Sequence, residues 1–94
     1  MSSVLSKQGT TRRGRYFILK VFPGTAAFSR IGVVISAAVL PKASGRNRLR
    51  RMVYDASSPL LSKTPTDYLL IAQRGQYDEA ADDAIIKELK NLLN

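Results

Sequence analysis

Three consecutive runs carry the fold: Arg30-Ile-Gly-Val-Val-Ile-Ser36, Gly45-Arg-Asn-Arg-Leu-Arg-Arg-Met-Val-Tyr-Asp-Ala-Ser57 and Asp67-Tyr-Leu-Leu-Ile-Ala72. The first and third are short, apolar and rich in β-branched and aromatic residues, which reads as strand. The middle run places Leu49, Val53 and Ala56 at helical spacing and is closed by Pro59, which reads as helix. Strand, helix and strand in that order imply a parallel pair joined by a crossover.

Outward from this unit the pattern continues. Arg15-Tyr-Phe-Ile-Leu-Lys-Val-Phe22 ends at Pro23-Gly24 and reads as a strand and turn. The 30–36 strand is expected to be its hairpin partner. Residues 1–13 read as a short helical turn followed by a loop at Gly9-Thr10-Thr11. Asp78 to Leu93 reads as a closing amphipathic helix with Ala81, Ile85, Leu89 and Leu92 inward. The expected fold is α+β, a two-layer α/β sandwich with helices packed on a mixed sheet of three to four strands. Its 94 residues make one domain, because two separate cores would each be too small.

Composition removes whole classes of chemistry. With no Cys and no His there is no disulfide framework, thiolate nucleophile, imidazole base or conventional zinc site. No apolar run approaches the roughly 20 residues of a membrane span, and the cytoplasm is the expected compartment. The charge, +8 in total, is divided unevenly. Residues 1–54 carry eleven Lys or Arg and no acid, a net +11, whereas residues 55–94 carry −3. Such asymmetry directs a field at a polyanion. Nucleic acid is the expected partner, and no basic segment backs onto the wide apolar face that a membrane surface needs.

The middle helix concentrates that charge. At about 100° per residue, Leu49, Met52, Val53 and Ala56 share an inward arc. Asn47, Arg50, Arg51 and Tyr54 share another face at i, i+3, i+4 and i+7, with Arg46 alongside and Arg48 projecting away. Cations in the first turns oppose the helix dipole, and Arg46–Arg50 and Arg48–Arg51 are like-charge neighbours, each unfavourable by about 0.2–0.5 kcal/mol. A solvated helix face is the bland account. So consistent a breach of local rules, on an acid-free half of the chain, favours a phosphate-binding surface. Tyr54 offers a stacking ring.

Other candidates are weaker. Lys42 precedes the helix, and Arg12-Arg13-Gly14-Arg15 can contact phosphate or simply keep a loop soluble. Lys20 shares a strand face with Tyr16, Ile18 and Phe22, and is either an RNA contact or an edge lysine that blocks aggregation. Asp78, Glu79, Asp82 and Asp83 read as first-turn acids complementing a helix dipole, with Mg²⁺ ligation the sharper alternative. A metal-dependent protein nuclease needs clustered carboxylates near the scissile phosphate, and the basic half has none. The residues therefore point to binding without a protein catalytic or metal site.

Arg46-Asn47-Arg48-Leu49-Arg50-Arg51, with Lys42-Ala43 before it and Met52-Val53 after, resembles the signature helix of the bacterial ribonuclease P protein family. Arg13-Gly14-Arg15-Tyr16-Phe17, Arg30-Ile31-Gly32-Val33 and Asp67-Tyr-Leu-Leu-Ile-Ala72 with Arg74-Gly75 follow in the same order. The resemblance implies a left-handed crossover around that helix and a holoenzyme whose RNA carries out Mg²⁺-dependent removal of the precursor tRNA 5′ leader. It implies ribonuclease P RNA and precursor tRNA as partners, with no membrane or protein partner, and Mg²⁺ held mainly by the RNA. RNA-contacting residues expected on this basis are Lys42, Arg46, Asn47, Arg48, Arg50, Arg51 and Tyr54, with Arg12, Arg13, Arg15, Lys20 and Arg30 from the strands. Against the family's pattern the first helix reads as truncated. Ala37-Ala38 replace a usual lysine pair, Lys20 stands where an aromatic is common, and Tyr54 where a basic residue is. A non-enzymatic module for structured RNA, as in ribosome assembly, is the alternative.

Overall fold

A computed structural model describes residues 10–24 and 26–93. Strands β1 (Thr10–Arg13), β2 (Phe17–Pro23), β3 (Arg30–Val34) and β4 (Thr66–Ala72) form one sheet in the order β1-β2-β4-β3. Helix α1 (Ala43–Ser57) links β3 to β4, and α2 (Asp82–Leu93) follows β4 through the 3-10 turn Glu79–Ala81. The expected α+β sandwich with a mixed sheet is present. The helical turn expected near the start lies outside the described residues.

Strand alternation sorts the sheet into two faces. Phe17, Leu19 and Val21 stand opposite Ala72, Leu70 and Tyr68, and Ile31 and Val33 opposite Tyr68 and Leu70. These residues join Leu49 and Val53 of α1 and Ile85, Leu89 and Leu92 of α2 in one hydrophobic core. Both helices therefore lie on that face. Ile18, Lys20 and Phe22 of β2, with Leu69 and Ile71 of β4, project from the opposite face.

Two expectations need correction. Strands β2 and β3 are not hairpin partners, because β4 lies between them, antiparallel to β2 and parallel to β3. The six-residue connection does not turn back on itself but ties to the segment leading into β4. The Ser29 hydroxyl donates to the carbonyls of Ser62 and Thr64 at 2.6 and 3.1 Å, and Gly24 N–H donates to the Pro65 carbonyl at 3.2 Å. A Cβ on Gly24 would fall 2.6 Å from the Pro65 carbonyl carbon, so only glycine permits this approach. The centre of the sheet goes to Tyr-Leu-Leu-Ile, the strand with most apolar surface to bury between two neighbours. Second, Thr10 and Thr11 are not loop but part of β1, paired with Val21 and Lys20. All four β1 residues are exposed, so this edge strand carries no apolar alternation. It also leaves β2 inside the sheet, which removes the edge-lysine account of Lys20.

Candidate nucleic-acid interface

Helix α1 is anchored by Leu49 and Val53, both fully buried, with Met52 and Ala56 packed partly beneath it. Lys42 sits at its N-cap without a side-chain cap, and the first turn contains no acid. Its leading amides thus remain as donors at the positive end of the dipole. Asn47 and Arg51 are exposed, and Arg50 and Tyr54 half-buried. Arg50 donates to the Asn47 side-chain oxygen at 3.3 Å, a long hydrogen bond joining adjacent members of the outward stripe.

The arginines of this helix divide by what they touch. Arg46 turns back and donates to the carbonyls of Leu40 and Pro41 at 2.7 and 2.8 Å, holding the loop that enters the helix. Arg48 reaches α2, where it meets both Asp82 oxygens at 3.1–3.3 Å and the Tyr77 carbonyl at 2.9 Å. Hydrogen bonding to Asp82 raises its pKa further, aided by the charges of Asp82, Glu79 and Asp78. Arg46 and Arg48 thus secure the helix, whereas Arg50 and Arg51 make no such contact with another element among the described residues.

The strand residues divide the same way. Arg30 forms a two-pronged pair with Asp67 at 2.9 and 3.1 Å, directly across the β3–β4 ladder. Hydrogen bonding to Arg30 and its positive charge hold the Asp67 carboxyl below the usual range. Arg12 donates to the Leu92 carbonyl at 3.0 Å, satisfying the C-terminal end of α2. Arg13 and Arg15 are exposed, and Arg15 lies 5.8 Å over the Tyr16 ring. Lys20 projects half-buried from the sheet face that the helices leave, between Thr11 and Leu69.

One contact had no sequence signal. Glu88 of α2 accepts three consecutive main-chain N–H bonds, from Arg15 at 2.7 Å and from Tyr16 and Phe17 at 2.8 and 2.9 Å. A Cβ on Gly14 would fall 2.5 Å from this carboxylate, so the turn accepts it only with glycine there. Charge-assisted bonds of this kind are about twice as strong as neutral ones. They bridge more than 70 residues of sequence, where no local pattern reaches.

A family model for ribonuclease P matches residues 2–94. The chain belongs to this family. A ribonuclease P protein component of a Picosynechococcus species is 34% identical over 87 residues, covering 92% of this chain and 75% of its own. Its counterpart in a Pseudanabaena species is 32% identical over 93 residues, covering 92% and 76%. Among solved structures, the RNase P protein of Thermotoga maritima matches with a TM-score of 0.68 at 20% identity, over 98% of this chain and 87% of its own. The Staphylococcus aureus RNase P protein matches at 0.63 and 18%, over 96% and 79%. At such identities the structures speak for the fold, and the α+β architecture agrees with both. Within the ribonuclease P family fold, the outward stripe on α1 and the β1–β2 turn lie on different elements, joined through the Arg48 link to α2. No described helix is long and apolar enough to cross a membrane.

Proposed function

We propose that this chain is the protein subunit of a ribonuclease P holoenzyme and assists removal of the 5′ leader from precursor tRNA. Helix α1 docks on the catalytic RNA through Asn47, Arg50, Arg51 and Tyr54, with Lys42 and the free first-turn amides at its leading end. The observation that carries this reading is the division of labour on α1. Leu49, Val53, Arg46 and Arg48 fix the helix, and a cationic stripe is left without an acid partner among the described residues. Family membership supplies the assembly to which such a surface belongs.

In this reading the RNA performs the hydrolysis and Mg²⁺ sits on the RNA. Among the described residues no group of three or more acidic side chains converges to ligate a metal. The protein neutralises phosphate charge and holds the leader, in the cytoplasm. Lys20, on the sheet face opposite the helices, is the strand residue best placed to meet the leader. Arg12 and Arg30 act mainly through their internal partners.

Reconstitution with a bacterial ribonuclease P RNA tests the proposal. At low Mg²⁺ the protein is expected to raise the rate of precursor-tRNA cleavage, and Arg50→Ala with Arg51→Ala to abolish most of that gain. Tight RNA binding with no effect on leader removal, across several such RNAs, would replace this reading by a non-enzymatic RNA-binding module.

A further inference from the structure

Two clefts share Arg15 in their lining, and no residue of α1 lines either. One, of about 290 Å³, runs between Arg15 and the loop Arg74-Gly75-Gln76 that leaves β4. The other, of about 370 Å³, runs between the Arg13-Gly14-Arg15 turn and Lys87 and Asn91 of α2. Arg15, Tyr16 and Ala84 line both, so the two clefts adjoin and form one groove. Ala84, Lys87 and Asn91 follow one another along a flank of α2 about 10 Å long at 1.5 Å per residue. The small side chain of Ala84 keeps the floor low.

The groove is cationic, and its acids are already engaged. Arg13, Arg15, Arg74 and Lys87 line it, and all four are exposed. Glu88 accepts from three main-chain amides and Asp78 from the Gln76 amide at 2.9 Å, so the four cations face only these two hydrogen-bonded carboxylates. The guanidinium of Arg15 lies over the Tyr16 ring, and its other face is a platform on which a nucleobase can stack. Glu88 also removes freedom from the turn, so its arginines are presented in a fixed place.

The groove connects to α1. Arg48 donates to the Tyr77 carbonyl, and Tyr77 lies between the groove-lining Gln76 and Asp78. Arg48 therefore ties α1 to the loop that borders the groove.

We infer that this groove is a second RNA subsite, which takes a short single-stranded segment through its phosphates and one base stacked on Arg15. The inference rests on the RNA-binding reading above and extends it to Arg74 and Lys87.

The test uses the whole protein and a fluorescein-labelled single-stranded oligouridylate about ten nucleotides long, followed by anisotropy over a salt series. Arg15→Ala with Arg74→Ala is expected to weaken binding about tenfold and to flatten the salt slope by about 1.4, or about 0.7 per lost phosphate contact. Both residues are exposed and neither side chain donates a hydrogen bond among the described residues, while the Arg15 main-chain bond to Glu88 survives the substitution, so the melting temperature should hold. Lys63→Ala with Lys90→Ala removes equal charge from residues that line neither cleft, and should weaken binding much less. Ala84→Glu, which raises an acid from the groove floor, should weaken binding, and Ala84→Lys should strengthen it. Equal loss in the two double variants, or no response to either Ala84 change, overturns the subsite. If Arg50→Ala with Arg51→Ala still weakens binding in that case, the α1 reading survives. If no variant alters binding, both fall.

Discussion

At the scale of single residues, the arginines of α1 look alike in sequence and differ in what their removal should do. Arg46→Ala relieves a like-charge contact of about 0.2–0.5 kcal/mol. It also strips two carbonyls of a charged donor, at about 1–2 kcal/mol. The second effect is larger, so Arg46→Ala should lower the melting temperature. Arg50→Ala with Arg51→Ala removes no strong internal bond and should leave it unchanged or raise it slightly, while RNA affinity falls. Thermal melts beside binding titrations separate the two, and the opposite ordering would move the RNA contact back to Arg46. Tyr77 carries a prediction of another kind. Its hydroxyl lies between the carbonyls of Tyr16 and Gln73, and burial, reinforced by the Glu88 charge, pushes its pKa from 10.0 to about 12. Above pH 10 the unfolded chain loses this proton while the folded chain keeps it. Stability should therefore fall as pH rises from about 10 to about 12. Tyr77→Phe should flatten that part of the profile relative to the parent, read as melting temperature against pH.

At the scale of elements, the joint between the β1–β2 turn and α2 rests on one carboxylate. Glu88→Ala leaves three amide donors to find water, at a cost of about 2–3 kcal/mol. Amide exchange at Arg15, Tyr16 and Phe17 should accelerate more than at β4. Uniform acceleration would show that Glu88 supports the whole fold and not this turn in particular. The same joint marks how far sequence reasoning reached. The helical spacing of Leu49 and Val53, and of Ala81, Ile85, Leu89 and Leu92, was legible because each helix buries one face, and all of these are buried. The parallel pairing of β3 with β4 followed from the intervening helix. The place of β4 between β2 and β3 was not legible, since strand order is settled by which strand has most to bury and by loop contacts such as Ser29 to Ser62. β1 escaped notice because an exposed edge strand has no apolar alternation. For the candidate site, periodicity found the outward stripe and set Arg48 apart from it, but it could not say that Arg46 and Arg48 hold internal partners. Their partners, Leu40, Pro41, Tyr77 and Asp82, are set by tertiary packing.

At the scale of the molecule, the imbalance of +11 against −3 between the two parts of the chain overstates the charge left for a ligand. Arg12, Arg30, Arg46 and Arg48 spend their donors on Leu92, Asp67, Leu40 and Pro41, and Asp82 and Tyr77, respectively. Apart from Lys20, which is assigned to the leader, the proposed contact surfaces use a smaller set: Lys42 at the N-cap of α1, Arg50 and Arg51 on it, and Arg13, Arg15, Arg74 and Lys87 along the groove. If each of these releases one counterion, log affinity for RNA should fall against log salt with a slope of roughly −5 to −6. Were the eleven cations of residues 1–54 all engaged, the slope would be roughly −8 to −10. A salt titration with ribonuclease P RNA distinguishes the two. A steep slope would mean that Arg30 or Arg48 abandons its carboxylate on binding, with Asp67 or Asp82 released to solvent. That exchange is unfavourable unless a phosphate replaces the lost partner at comparable geometry. The shallow slope is expected because the carboxylates are already within hydrogen-bond distance, and because releasing Arg48 would also loosen α1 from α2 and disturb the face that binds.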